Sequence, residues 1–594
     1  MKKLLSVVLF AALLHGVGLL AEGTGPRSAA MAAENEAVCT NGVFIGRETD
    51  GVVAWKGIPF AQPPVGPLRW KAPVAPAASG ERREAFNFAN SPLQVASTPT
   101  LISDPSEDCL YLNVWRSADA SSELKPVMVW IYGGAFKSGG ASNPMYSGQN
   151  FVLAHKDVVY VSLDYRVGLM GFVDFSDVPG GSDFPDSPNL GLLDQLQALK
   201  WLRENVQAFG GDPDNITLFG QSSGAACISL LMTMPEAKGL FRRAIIESGA
   251  VSMTAAKEDC AELTKRLLAL TGATDMAGLT ALSQDELENA VEELWGYTNF
   301  PQRDGRILSQ DIYAAFAERS GDFDLLIGTN ADELRYWIAA MEGVDPYKGF
   351  VSAAYSQIVG AIGRVSSADQ ALAQEFVAIQ TDKEPVWATT EFLNDLLFRG
   401  PALAQAQSHA GATYMYYWKH PSGLPNFGAC HGAEMPYVLN LTLHPLAPLI
   451  DQDLAAKVQA LWVNFAKTGD PSTASIAWPQ YDAQTRSTLI IDEEIATQNA
   501  PLDAQRELIM PLLKYGISGR ELINAVDSQQ PLEEDVGPTP EPASSDTAPS
   551  DPEPSDTGSS SGCDTGVVGL ACLLPLLGMW MGFSIRRGPR RPTR

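Results

Sequence analysis

The stretch Phe209-Gly-Gly-Asp-Pro-Asp-Asn-Ile-Thr-Leu-Phe-Gly220-Gln-Ser222-Ser-Gly224 reads as a strand that runs out into a G-x-S-x-G turn. Residues 216–219 are short, apolar and bounded by turn formers, the pattern of a buried strand. The glycines at 220 and 224 let this strand and the following helix crowd together, so that Ser222 can hold a strained backbone conformation with its hydroxyl at the sheet edge. Such a turn is a nucleophile elbow. Two glycines around a serine also occur in ordinary loops, so the meaning of the segment depends on what the rest of the chain supplies.

The flanking sequence supplies a sheet. Further apolar, β-branched runs fall at 127–132, 158–164, 244–247, 325–328 and 414–418. Between them, 190–209, 260–270 and 457–467 carry apolar residues at three-to-four spacing, the signature of helices with one buried face. Strands alternating with helices predict an α/β fold, a large and mostly parallel central sheet with helices on both faces. In such a fold functional groups collect at the carboxyl ends of the strands. From 34 to 528 there is no long polar linker and no internal repeat, so one large domain is expected.

A serine becomes a nucleophile only with a base, an acid that orients the base, and donors for the oxyanion. Of the six histidines, His15 lies in the apolar N-terminal stretch, which leaves His155, His409, His420, His431 and His444. His431 stands out because Gly428-Ala-Cys-His-Gly-Ala-Glu434 places it in a small-residue loop beyond the run at 414–418. The acid is expected just past a strand between serine and histidine, where Leu325-Leu-Ile-Gly-Thr-Asn-Ala-Asp332-Glu333 offers two carboxylates. Val129-Trp-Ile-Tyr-Gly133-Gly134-Ala135-Phe136 ends another strand in small residues, so its backbone N–H groups can approach a substrate oxygen.

Other stretches gain meaning only in combination: Lys56-Gly-Ile-Pro-Phe-Ala-Gln-Pro-Pro64, Glu107-Asp-Cys-Leu-Tyr-Leu-Asn-Val-Trp115, Tyr165-Arg-Val-Gly168, Asn189-Leu-Gly-Leu-Leu-Asp-Gln195 and Glu247-Ser-Gly249. With the elbow, they resemble the type-B carboxylesterase and cholinesterase family of α/β-hydrolases, over about 43–479. The resemblance implies Ser222 as nucleophile, His431 as general base and then acid, and Glu333 rather than Asp332 as the orienting carboxylate. It also implies oxyanion N–H groups on Gly134, Ala135 and Ser223, a supporting place for Ser248 near Glu333, and ion pairs Arg69 with Glu107 and Asp108 with Arg166. The implied activity is hydrolysis of a small-molecule carboxylic ester through an acyl-enzyme, with no cofactor and no metal. A catalytically silent adhesion protein on the same fold, or a hydrolase of amide, carbamate or thioester bonds, is the alternative.

Some positions depart from that family. Gln221 stands where Glu is usual, removing a negative charge from beside the imidazole and leaving His431 less biased towards its charged form. Ala135 replaces a common glycine, and Leu334 follows Glu333 where glycine is usual. Residues 90–94 contain no cysteine to partner Cys109, and 95–105 contain no tryptophan to receive a quaternary ammonium. Cholinesterase specificity is therefore not expected.

The two ends point to a compartment. Lys2 and Lys3 precede an apolar run and then small residues up to about 33, which reads as a signal peptide over 1–33. Residues 529–562 are an acidic, Pro- and Ser-rich stretch with too little apolar surface to fold, and are expected to be a disordered stalk. Within 563–594 an uncharged apolar run of membrane-spanning length precedes Arg586, Arg587, Arg590, Arg591 and Arg594. With Cys563 ahead of it, this end resembles bacterial C-terminal sorting signals of the myxobacterial type. An exported protein attached to the cell surface or outer membrane is expected, with a plain uncut anchor as the alternative. A net charge of −27 argues against nucleic acid as a partner. The seven cysteines form no C-x-x-C or Cys/His cluster of the zinc-binding kind.

Overall fold

Among the residues described by the structure, a computed structural model, eleven strands form one sheet. The described residues are 35–515, apart from 96–102, 120, 122, 298–299, 340, 342 and 442–449. His444 and the terminal segments expected to be a signal, a stalk and an apolar anchor lie outside them. From one edge the strands run Ile495–Asn499, Ser487–Ile491, Thr413–Trp418, Asp324–Asn330, Arg243–Glu247, Gly211–Gln221, Lys125–Ile131, Val159–Leu163, Tyr111–Ser117, Val52–Pro59 and Arg47–Thr49. Every pairing from Ser487–Ile491 through to Val159–Leu163 is parallel. Both flanks are antiparallel.

The strand order places the functional region. After Lys125–Ile131 the chain adds Val159–Leu163 on one side, then crosses back to lay Gly211–Gln221 on the other. The direction of winding therefore reverses between Lys125–Ile131 and Gly211–Gln221, which opens a crevice at their carboxyl ends. The Gly133-Gly134 run and Ser222 follow these two strands. Strands beside the crevice are buried on both faces, as Val159–Leu163 and Arg243–Glu247 show along their whole length. Helices Leu190–Asn205, Ser223–Leu231 and Gln452–Thr468 cover the sheet. The last is started by the Asp451 side chain and stopped at Gly469, whose φ of 84° ends the helix in the left-handed region.

The expected parallel strands and the three expected helices are present, with ends shifted by a few residues. Sequence reading did not mark Tyr111–Ser117 or Val52–Pro59 as strands, although they overlap the motif stretches at 107–115 and 56–64. The second is interrupted by a register shift between Trp55 and Ile58, with Gly57 at φ 72°. Such a bulge breaks the alternation by which a strand is recognised.

Arg69 and Glu107 pair as the resemblance implied, at 2.6 and 2.7 Å. Arg166 does not pair with Asp108. Its backbone and guanidinium groups make bonds of 3.0, 2.8 and 2.7 Å to the Asp194 carboxylate on helix Leu190–Asn205. Both side chains are almost wholly buried, at 2 % and 0 % exposure, so a charge there needs a partner that uses both carboxylate oxygens. Asp108 instead accepts from the Tyr111 hydroxyl. Cys39, Cys109, Cys227 and Cys430 are buried thiols outside any disulfide, and Cys260 is buried too. Among the described residues no helix is long and apolar enough to cross a membrane.

Candidate active site

Ser222 has φ 58° and ψ −131°, a strained conformation for a residue with a side chain. It is held from both sides: its N–H donates to the Glu247 carbonyl at 2.8 Å, and its carbonyl accepts from Ala226 N–H at 2.9 Å. The flanking glycines supply space rather than an unusual φ. A Cβ on Gly220 would lie 2.5 Å from the Ile131 carbonyl oxygen, and one on Gly224 only 2.2 Å from that oxygen. Gly249 is similarly constrained, since its Cβ would come within 2.5 Å of the Ser222 carbonyl oxygen.

Beside the elbow lies the His431 imidazole, 8 % exposed. Its Nδ1 is 2.6 Å from Oε2 of Glu333, which is fully buried. The other Glu333 oxygen accepts from Ser248 Oγ at 2.6 Å and from Asn330 N–H at 2.8 Å. Three bonds from three segments thus fix the carboxylate and, through it, the ring and its tautomer. Asp332, the other acid left open by strand position, pairs with Arg335 at 2.9 Å and accepts from Ala429 N–H. Of the other described histidines, His155 contacts Gln459 and His409 contacts Thr413. The Nε2 of His431 lies 3.1 Å from the Gln221 amide nitrogen. Rings of Phe398, Trp337 and Tyr336 surround the imidazole, with centroids at 5.2, 5.7 and 6.1 Å.

The loop after Lys125–Ile131 closes over the serine. A Cβ on Gly133 would sit 2.9 Å from Ser222 Cβ, so the loop and the elbow are in contact. Gly134, Ala135 and Phe136 all have positive φ, at 135°, 55° and 61°. Within the described residues the backbone N–H groups of Gly134, Ala135 and Ser223 donate to no protein acceptor. Unpaired donors on a strained loop beside a serine suit a developing negative oxygen.

Sequence reasoning missed the groups behind this arrangement. Asn330 Nδ2 donates to the Cys430 carbonyl at 2.8 Å and to Glu434, joining the acid strand to the histidine loop. Burial, then the nearby Glu333 charge, raises the Glu434 carboxyl to about 7. Burial, then Glu434, also raises Glu247 well above the ordinary range, while Trp462 Nε1 donates to it at 2.8 Å. Lys137, just past the small-residue run, is lowered to about 7 by burial and donates to the Trp295 carbonyl at 2.8 Å. The spacing of Asn330 and Glu434, three residues before Glu333 and three after His431, was the available signal. Nothing in the sequence told them apart from other polar loop residues.

Comparison with known proteins shows the family. The family model described as "Carboxylesterase family" matches residues 35–508. The chain is 37 % identical over 490 residues to para-nitrobenzyl esterase of Bacillus subtilis (strain 168), covering 78 % of this chain and 96 % of that protein. It is 31 % identical over 501 residues to liver carboxylesterase of Sus scrofa, covering 73 % of this chain and 84 % of that protein. Carboxylesterase EST55 of Geobacillus stearothermophilus superposes with a TM-score of 0.71 at 32 % identity, covering 80 % of this chain and 99 % of that one. With a mostly parallel sheet, a serine elbow and these relatives, the chain belongs to the carboxylesterase family, with the α/β-hydrolase fold, and is a serine hydrolase of carboxylic esters.

Proposed function

We propose that Ser222, His431 and Glu333 form the catalytic triad of an exported esterase held at the cell surface. The observation that carries the triad is the 2.6 Å contact between His431 Nδ1 and Glu333, on a ring whose other nitrogen faces the elbow. Ser222 Oγ attacks the ester carbonyl while its proton passes to His431 Nε2, and the carbonyl electrons move onto oxygen. Gly134, Ala135 and Ser223 N–H groups receive that oxyanion, each typically worth on the order of 3 kcal/mol in such sites. Collapse expels the alcohol with the proton from Nε2, and water repeats the sequence on the acyl-enzyme. Glu333 stabilises the imidazolium without itself taking the proton.

Esters with apolar or aromatic groups are the proposed substrates, supported by the Phe398, Trp337 and Tyr336 rings around the imidazole. Surface attachment rests on the apolar run and arginines of 563–594. Hydrolysis of a chromogenic acyl ester, lost in Ser222→Ala together with labelling by a serine-directed phosphonate, is the expected result. A wild-type protein that neither turns over such esters nor reacts with the phosphonate overturns the triad. Deleting 563–594 is expected to release active enzyme into the medium, and continued cell attachment contradicts the anchor.

A further inference from the structure

Gln221 is 5 % exposed at the end of its strand, and its amide nitrogen lies 3.1 Å from His431 Nε2. Because Nδ1 faces the Glu333 carboxylate at 2.6 Å, the neutral ring carries its proton there and presents a lone pair at Nε2. A donor is what that lone pair requires, and the amide N–H supplies it. The Ser222 hydroxyl, the group whose proton Nε2 would take, makes no hydrogen bond with any described residue, and the Gln221 side-chain oxygen accepts none from a described residue. In the resting site the base is therefore engaged by the residue next to the nucleophile.

We propose that Gln221 is a positioning residue whose amide caps the Nε2 lone pair of His431 in the resting site and turns over when that nitrogen is protonated. The proposal rests on His431 acting as the base. Productive attack requires Nε2 to exchange the amide for the Ser222 hydroxyl. Once the proton has moved, Nε2–H would face another N–H. Rotation about the last side-chain bond then offers the amide oxygen, which accepts from Nε2–H until that proton passes to the leaving alcohol oxygen. A glutamate at 221 could only favour the charged ring, because a carboxylate accepts and does not donate. The amide serves both charge states, donating to the neutral ring and accepting from the charged one.

The titratable groups beside His431 are Glu333 and Tyr336 on the turn Glu333–Ile338 and Cys430 and Glu434 on its own loop; the turn that carries Phe398 adds Asp395 and Arg399, which pair with each other. All remain unchanged in variants at 221, so a comparison among variants isolates the amide.

The test is the pH dependence of kcat/KM on a para-nitrophenyl ester for the full-length wild type, Gln221→Leu and Gln221→Glu. The acid limb is expected to move upward by roughly 0.5 pH unit in Gln221→Leu, which loses the donor, and by about 1–2 units in Gln221→Glu, which adds an ion pair. A purely structural role lowers the rate at all pH values and leaves the limb in place. Limbs that coincide, or that move downward, overturn the proposal. If Gln221→Leu fails to fold, Gln221→Met, which keeps the side-chain length without the amide, takes its place. His431→Gln separates the two readings. If it retains wild-type activity, the base assignment itself is wrong; if it is inactive while the limbs coincide, only the role of Gln221 is rejected.

Discussion

Ser248 Oγ donates a 2.6 Å hydrogen bond to Oε1 of Glu333, linking the carboxyl ends of the adjacent strands Arg243–Glu247 and Asp324–Asn330. The acid is thereby aimed by a neighbouring strand as well as by its own turn. Ser248 has φ 54°, so glycine is the substitution that removes the hydroxyl without adding backbone strain. A hydrogen bond to a charged group contributes about 1.5–3 kcal/mol, so kcat of Ser248→Gly is expected to fall by roughly tenfold to a hundredfold with KM little changed. Steady-state kinetics check this; an unchanged kcat shows that Asn330 N–H and His431 orient the acid without Ser248.

The Gly134 loop, proposed to receive the oxyanion, offers a sharper separation of chemistry from folding. A Cβ on Gly134 would meet the Ser138 carbonyl oxygen at 2.2 Å, and the residue sits at φ 135°. Gly134→Ala must therefore shift the loop and its donors. A loss of about 10²–10³ in kcat is expected, the typical effect of losing one oxyanion donor. Thermal unfolding should show the sheet still formed, because the loop lies beyond the strand end.

The buried carboxyl of Glu434 predicts a pH dependence of stability. Its folded value of about 7 lies above the ordinary 4.5, so between these values the native state binds more protons than the unfolded chain. Stability from this group is fully present below about 4.5 and is lost as pH rises through about 7. At ~1.4 kcal/mol per pH unit, the change is on the order of 3 kcal/mol. Glu434→Gln cannot titrate, so its urea midpoint should fall less steeply than that of wild type between pH 4.5 and 7. Parallel curves for the two proteins contradict this assignment. Glu247 titrates in the same direction and remains in the variant, so part of the slope should persist.

Arg166 and Asp194 make the other testable pair. With both side chains buried, Asp194→Ala leaves a guanidinium charge without its carboxylate and is expected to destabilise the fold by about 3–5 kcal/mol. Asp108→Ala, which removes only a partner of the Tyr111 hydroxyl, should cost about 1 kcal/mol. Chemical denaturation of both variants checks the order.

Much of this molecule was legible along the chain because the relevant signals are local. Apolar β-branched runs between amphipathic helices specify a covered parallel sheet, and two glycines around Ser222 announce an elbow. His431 in its small-residue loop and the acids at 332 and 333 could also be located as candidates. What local sequence leaves open is which groups converge. Asp332 and Glu333 are adjacent and chemically alike; the turn after Asp324–Asn330 sends one to Arg335 and the other to His431. Arg166 finds Asp194 rather than Asp108, and Gln221 reaches Nε2 of a histidine 210 positions away, because burial rewards whichever partner the packed elements bring within hydrogen-bond distance. Sequence by itself determined the sheet, the elbow and the inventory of reactive groups, since these depend on periodicity and on backbone space. The tertiary structure alone decided the pairing of those groups, since a buried charge or lone pair is satisfied through space and carries no mark along the chain.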